Sequence, residues 1–210
     1  MIKVKICGIH SINEARSAVK SGADYLGLLI NIPKTNLSNT IKEAATIVYS
    51  LKKVRFIILT IEQDPATLLE MVRKISPWGI QLLRPTIKNV RYLHLNSKVK
   101  VIPVVHVSGS GILKKARSFY IADFILLDSK SKGQLGGTGK THNWTLSKKI
   151  IEQSPIPILL AGGLGELNVK EAIKQTIPYG VDAESLLRNP LGFRDSKKVK
   201  GFIKQAKHTN

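Results

Sequence analysis

Three side chains able to move a proton each close a short apolar run. Cys7 ends VKIC, His106 ends IPVVH and Asp128 ends FILLD. A thiolate can abstract a proton, an imidazole can give or take one, and a carboxyl desolvated at a strand end can donate one because burial raises its pKa. Each also has an ordinary structural role. A free cysteine is most often a small buried hydrophobe, a strand-end histidine is most often hydrogen-bonded in place, and an aspartate often caps a loop. Two glycine-rich segments add a second kind of chemistry: GGTGKT at Gly136–Thr141 and AGGLGELN at Ala161–Asn168. Glycine lets backbone N–H groups approach an anion, and a following helix contributes its positive end. The first segment is not a nucleotide P-loop. Counting back from Gly139, Lys140 and Thr141, the required first glycine falls on Gln134.

The elements that must position these groups alternate. Strand-like runs are expected at Ile2–Cys7, Tyr25–Ile30, Val54–Thr60, Gly79–Leu83, Val99–Val105, Phe124–Leu127, Ile156–Leu160 and Gly180–Ala183. Helical periodicity follows each of them: Ile12–Ser21, Ser38–Leu51, from about Pro65, Ile87–Leu95, Ile112–Tyr120, from about Trp144, Leu167–Gln175 and Asp195–Lys207. Ser11 with Glu14 gives a capping-box pattern for the first helix. The strands are short, apolar and mostly free of charge, as parallel strands covered on both faces are. Eight such units with no linker predict an α/β chain folded as one domain over residues 1–210, a (β/α)8 barrel of the TIM type. An open doubly wound sheet would carry its glycine fingerprint in the first turn, and CGIHS is not one.

In such barrels chemistry sits at the C-terminal ends of the strands. That rule selects Cys7, Asn31, Leu83 with Arg84, His106, Asp128, Gly162 with Gly163, and Glu184 with Ser185. Trp78 can pack beneath the fourth strand, and Trp144 can anchor the helix after the first glycine loop.

Composition bounds the function. A single cysteine excludes an internal disulfide and a cysteine-rich zinc cluster, and fits a reducing, cytoplasmic setting. No run approaches the ~18 uncharged apolar residues of a membrane span. The 33 basic and 14 acidic residues leave a net charge of +19. That excess suits a solvated lysine-rich surface, or the steering of an anionic small substrate. Nucleic acid is disfavoured as a partner, because only 6% of residues are aromatic and none interleave with the scattered basic pairs. Nothing in the composition fixes an oligomeric state.

The same segments resemble the phosphoribosylanthranilate isomerase family of tryptophan biosynthesis. KICGI at Lys5–Ile9, GADYLG at Gly22–Gly27, LLD at Leu126–Asp128, GGTGKTHNW at Gly136–Trp144, LAGGL at Leu160–Leu164 and GVD at Gly180–Asp182 carry the likeness, which runs from Lys5 to Asp195. The resemblance implies an Amadori rearrangement of N-(5'-phosphoribosyl)anthranilate, with no metal and no organic cofactor. It implies Cys7 as general base and Asp128 as general acid, with a positive surround lowering the thiol pKa. Substrate and phosphate contacts are expected at Gly136, Gly137, Thr138, Gly139, Gly162, Gly163 and Ser185, with Gln81 on the fourth strand, and barrel geometry adds Arg84 just after it.

The chain also departs from the family pattern. NIPKTN at Asn31–Asn36 lacks the usual serine and paired arginines, QLHG becomes QLLR at Gln81–Arg84, and Glu184–Ser185–Leu186 replace paired serines and a glycine. Arg84 and Arg188 are the candidate replacement cations. These departures leave two alternatives open: a barrel acting on another phosphoribosyl amine, and a non-catalytic relative that binds a phosphate ligand.

Overall fold

A computed structural model describes residues 1–33, 35–109, 111–129 and 143–209. The strands are β1 (Lys3–Ile6), β2 (Tyr25–Ile30), β3 (Ser38–Asn39), β4 (Arg55–Thr60), β5 (Gly79–Leu82), β6 (Lys100–Val107), β7 (Ile125–Ser129), β8 (Ile158–Leu160) and β9 (Gly180–Ala183). The helices are α1 (Ile12–Lys20), α2 (Ile41–Ser50), α3 (Pro65–Ile75), α4 (Ile87–Asn96), α5 (Ile112–Arg117), α6 (Trp144–Glu152), α7 (Val169–Thr176) and α8 (Ser196–Lys207). All pairings among the nine strands are parallel, and β1 joins both β2 and β9, so eight of them close a barrel. The expected fold class is therefore the observed one.

The short strand β3 is the exception. The sequence reading started the second helix at Ser38, but Ser38 and Asn39 pair with Leu29 and Ile30 of β2. The helix begins after Thr40, whose side chain and Glu43 form a reciprocal capping box. That local pairing of caps outweighs the weak helix preference of Ser and Asn. At α1, Glu14 accepts from the backbone of His10 instead of Ser11, so only half of the expected box forms.

Alternation along the strands separates two cores. Outward residues such as Val4, Ile6, Leu26, Leu28, Ile58 and Leu127 pack under the helices. Inward residues fill the barrel, with Ile57, Leu59, Ile102, Val104, Leu126 and Leu159 forming its buried interior. Rings seal the N-terminal end. Tyr25, Trp78, Phe124 and Tyr179 follow one another at centroid separations of 4.9, 5.6 and 5.6 Å. The Arg55 guanidinium lies 5.8 Å from the Trp78 ring and 5.9 Å from that of Tyr25. With that end filled, chemistry is confined to the other.

Closure depends on Gly180. A Cβ there would stand 2.6 Å from the Lys3 carbonyl oxygen and 2.9 Å from the Leu159 side chain. Gly180→Ala should destabilise the protein by about 1–3 kcal/mol through overpacking. A denaturant midpoint equal to wild type would contradict this account of the β1–β9 seam.

Candidate active site

The barrel mouth is built by inward residues at the C-terminal strand ends. Strand β1 places Lys5 on the inward face and Cys7 just past its end, two residues on. Strand β7 contributes Asp128, and β9 contributes Asp182 with Glu184 following. Lys5 is fully buried and its Nζ lies 2.9 Å from Asp182 Oδ2, its register partner across the barrel seam. The Lys5 charge also favours the ionised form of the neighbouring Cys7 thiol. Burial opposes the charge on Lys5, but Asp182 and Cys7 outweigh it and its pKa rises. Burial pushes the Asp182 carboxyl up while Lys5 pulls it back.

The expected thiolate is not the resting state of Cys7. Burial pushes the thiol up to about 12; Lys5 lowers it, and Asp182 and Glu184 raise it again. The positive surround exists but is half cancelled by two carboxylates, so desolvation wins. Asp128 behaves as the sequence suggests. Burial raises it to about 6, and Asp182 adds to the shift. The Ser129 amide donates to Asp128 Oδ1 at 2.8 Å, and Lys5 acts in the same lowering direction.

Gly27 packs against the candidate site, although its type and spacing do not mark it in the sequence. A Cβ on this inward position of β2 would meet Cys7 Sγ at 2.8 Å and Leu59 at 3.1 Å. The glycine leaves the sulfur its space. No spacing rule flags it; only the inward parity of β2 beside β1 could.

The loop after β8 is held by its own side chains. Gly162 and Gly163 have φ of 89° and 62°. A Cβ on Gly162 would stand 2.6 Å from the Ser129 amide nitrogen, so the loop crosses directly over the end of β7. Asn168 precedes α7 yet makes no cap bond to it. Instead its Oδ1 accepts from Gly165 N and its Nδ2 donates to Gly163 O, both at 2.9 Å. Ser185 opens a 3-10 turn over Ser185–Leu187, and Leu186 packs against Gly165. The structure thus brings the loops after β8 and β9 together. Gly136, Gly137, Thr138 and Gly139 lie outside the described residues.

Arg188 is not a spare cation. Its Nε bonds Glu184 Oε1 at 2.5 Å, its Nη2 donates to Gly8 O at 2.8 Å and its Nη1 to Gly192 O at 2.9 Å. Glu184 is therefore neutralised beside the mouth. Arg194 donates to the carbonyls of Cys7 and Glu184. Gly8, at φ 77°, lets these side chains close on the loop: a Cβ there would meet Arg188 at 2.9 Å and Glu184 at 3.0 Å. Arg84 is exposed, and its carbonyl accepts from Gln63 at 2.7 Å. Gln81 is buried, and its Oε1 has no hydrogen-bond partner among the described residues. Asn31 sits just past β2 at φ 51°. His106 is the register partner of Asp128 on β6. A groove of about 670 Å³ between the starts of α1 and α2 includes His10 and Asn39 but neither Cys7 nor Asp128. Among the described residues no three of His, Cys, Asp and Glu gather as a metal-ligand set, and no helix is long and apolar enough to cross a membrane.

A closed parallel barrel with a buried thiol and a carboxyl of raised pKa at the C-terminal ends of its strands defines a (β/α)8-barrel protein with a candidate acid–base site. Comparison with known proteins narrows that class. The sequence model of N-(5'-phosphoribosyl)anthranilate (PRA) isomerase matches residues 4–205. The chain is 35% identical to N-(5'-phosphoribosyl)anthranilate isomerase of Methanocella arvoryzae, with 100% of each chain covered. It is 36% identical to the Aquifex aeolicus protein of that name, with 99% of each covered. The phosphoribosyl anthranilate isomerase of Thermotoga maritima superposes with a TM-score of 0.89 at 30% identity, covering 99% of both chains. A further isomerase structure, holding reduced 1-(o-carboxyphenylamino)-1-deoxyribulose 5-phosphate, superposes at 0.85 with 28% identity and 99% coverage of both. The chain belongs to the N-(5'-phosphoribosyl)anthranilate isomerase family.

The sulfur–glycine contact is testable by a double-mutant cycle. Gly27→Ala should cost about 1–3 kcal/mol of stability in wild type and markedly less in a Cys7→Ala background. Equal costs in the two backgrounds would contradict the packing of Sγ against Gly27.

Proposed function

We propose that this chain catalyses the Amadori rearrangement of N-(5'-phosphoribosyl)anthranilate to 1-(2-carboxyphenylamino)-1-deoxyribulose 5-phosphate, in tryptophan biosynthesis. The observation that carries the reading is the placement of Cys7 and Asp128 around one barrel mouth, in a chain matched to the family from residue 4 to 205. Asp128 gives its proton to the ribose ring oxygen as the C1–O bond breaks, while the anthranilate nitrogen lone pair forms the C1=N iminium. The Cys7 thiolate then takes the C2 proton. The C–H electron pair becomes a C1–C2 double bond and neutralises the iminium, leaving an enolamine that tautomerises to the ketone. Each proton transfer by a positioned group supplies about 10²–10⁴ in rate.

The phosphate is read as seated against the loops after β8 and β9, at Gly162, Gly163 and Ser185, with Gly136–Gly139 contributing from the preceding connection. The left-handed glycines and the Asn168 brace support that placement, because they hold the loop in shape before substrate arrives. The Arg188–Glu184 pair supports it too, since it removes a repulsive charge from beside the phosphate. Gln81 and Arg84 are assigned to the substrate's far side. The net charge of +19 favours the approach of such an anion.

At neutral pH the acid–base pair holds one proton, resting on Cys7, and the reactive form places it on Asp128. Both forms carry the same proton count, so the rate follows the pair as a unit. Below about pH 6 Asp128 takes up a second proton while Cys7 keeps its own, and kcat/KM should fall as pH falls. It should be level from there through neutrality. A maximum near pH 4 to 5 would contradict the assignment.

The direct test follows the loss of phosphoribosylanthranilate fluorescence. Cys7→Ala and Asp128→Asn should each lower kcat by about a thousandfold. Absence of turnover by folded wild-type protein would overturn the proposed activity. Undiminished activity in both variants would overturn the residue roles.

A further inference from the structure

Lys5 and Asp182 are two buried charges that the proton transfers above do not use. Removing charge from water is unfavourable, and barrel interiors are ordinarily filled with branched apolar side chains. Here the pair sits one layer below the mouth. Lys5 shares the inward face of β1 with Cys7, two residues away, and is 0% exposed. Asp182 is 7% exposed, and its Oδ1 has no hydrogen-bond partner among the described residues.

Resting on the roles proposed for Cys7 and Asp128, we propose that the Lys5–Asp182 ion pair is a fixed internal dipole that sets where the catalytic proton sits. Its ammonium end favours a bare sulfur at Cys7, and its carboxylate end favours a proton on Asp128. Both ends push the same proton in the same direction, toward the reactive form. Lys5 and Asp182 are therefore positioning residues: they act through space on Cys7 and Asp128, and need not touch substrate.

Three observations agree. The arrangement is polarised in the required sense: Lys5 lies on the inward face of β1 two residues before Cys7, and its charge acts to lower the thiol pKa. The two ends act unequally on the two sites: on Cys7 the lowering by Lys5 exceeds the raising by Asp182, and on Asp128 the raising by Asp182 exceeds the lowering by Lys5. The other charges around the pair are already engaged. Glu184 is held by Arg188, and Arg194 bonds the carbonyls of Cys7 and Glu184. His106 on β6 is the register neighbour of Asp128, and Ser129 contributes only its amide. Among the described residues Lys5 and Asp182 are the only charged side chains this deeply buried.

The test reads both sites without turnover. Lys5→Met/Asp182→Leu removes both charges together and leaves no lone buried ion. Cys7 is the single cysteine, so iodoacetamide alkylation at neutral pH reports its thiolate fraction alone. Carbon-13 carboxyl NMR, assigned by the signal missing in Asp128→Asn, gives the Asp128 midpoint. In the double variant alkylation should slow about tenfold and the midpoint should fall by about one unit, each unit being a factor of ten in population. Phosphoribosylanthranilate turnover should then drop about a hundredfold with KM nearly unchanged. A merely loosened barrel would speed alkylation, so slowing reports charge. Should the double variant not fold, Asp182→Asn alone should lower the Asp128 midpoint, and an unchanged midpoint there would overturn the dipole. Unchanged alkylation and an unchanged midpoint in the folded variant would overturn the dipole. Because neither reading requires catalysis, that outcome is distinct from a failure of the proposed activity.

Discussion

Inside a barrel closed by apolar side chains, an ammonium and a carboxylate stand 2.9 Å apart with almost no water. The chemistry at the mouth depends on this arrangement. Two unit charges about 4 Å apart interact by about 4 kcal/mol at an effective dielectric constant near 20, which equals about three pKa units. The two ends of the pair oppose each other at any neighbour, so each site feels only the difference between them. The same burial that makes the pair influential raises Cys7 to about 12 and Asp128 to about 6. Desolvation dominates at the sulfur, which rests protonated even with the internal charges in place. The internal charges work against it on the sulfur side and with it on the carboxyl side.

Holding that geometry falls to the segment after the last strand. Residues from Glu184 to Arg194 return over the loop after β1, and two arginines bond the carbonyls of Cys7 and Gly8. The turn is sealed by the antiparallel bridge between Arg188 and Arg194, while Lys198 of α8 donates to the Arg188 carbonyl at 2.8 Å. The final strand–helix unit thus fixes the first, which joins barrel closure to the position of Cys7. Glycine at position 8 is required because the clamp packs where a side chain would be.

Much of the fold was legible in the sequence, because period-two and period-3.6 patterns report burial directly. The eight barrel strands and eight helices fall where those patterns place them. Strand β3 was missed because two residues carry no period, and its pairing depends on β2. The site was legible in part. Cys7 and Asp128 announced themselves as polar ends of apolar runs, and Gly162 and Gly163 as a cluster. Lys5 and Asp182 read as ordinary strand charges, since their partnership spans 177 positions and only closure brings them together. The thiol's high pKa was equally hidden: positive charge could be counted, but burial and the opposing carboxylates could not. Glu184 looked like a fault beside a phosphate until the Arg188 bond supplied its neutralising partner.

The most direct measurement is a crystal structure of this chain with reduced 1-(o-carboxyphenylamino)-1-deoxyribulose 5-phosphate. The account predicts Cys7 Sγ against C2 and an Asp128 carboxyl oxygen against the oxygen on C4, each within about 3.5 Å. It predicts the phosphate against Gly162, Gly163 and Ser185, with the Lys5–Asp182 pair intact beneath. A phosphate seated elsewhere, or a carbon chain whose C2 lies out of reach of Cys7, would contradict it.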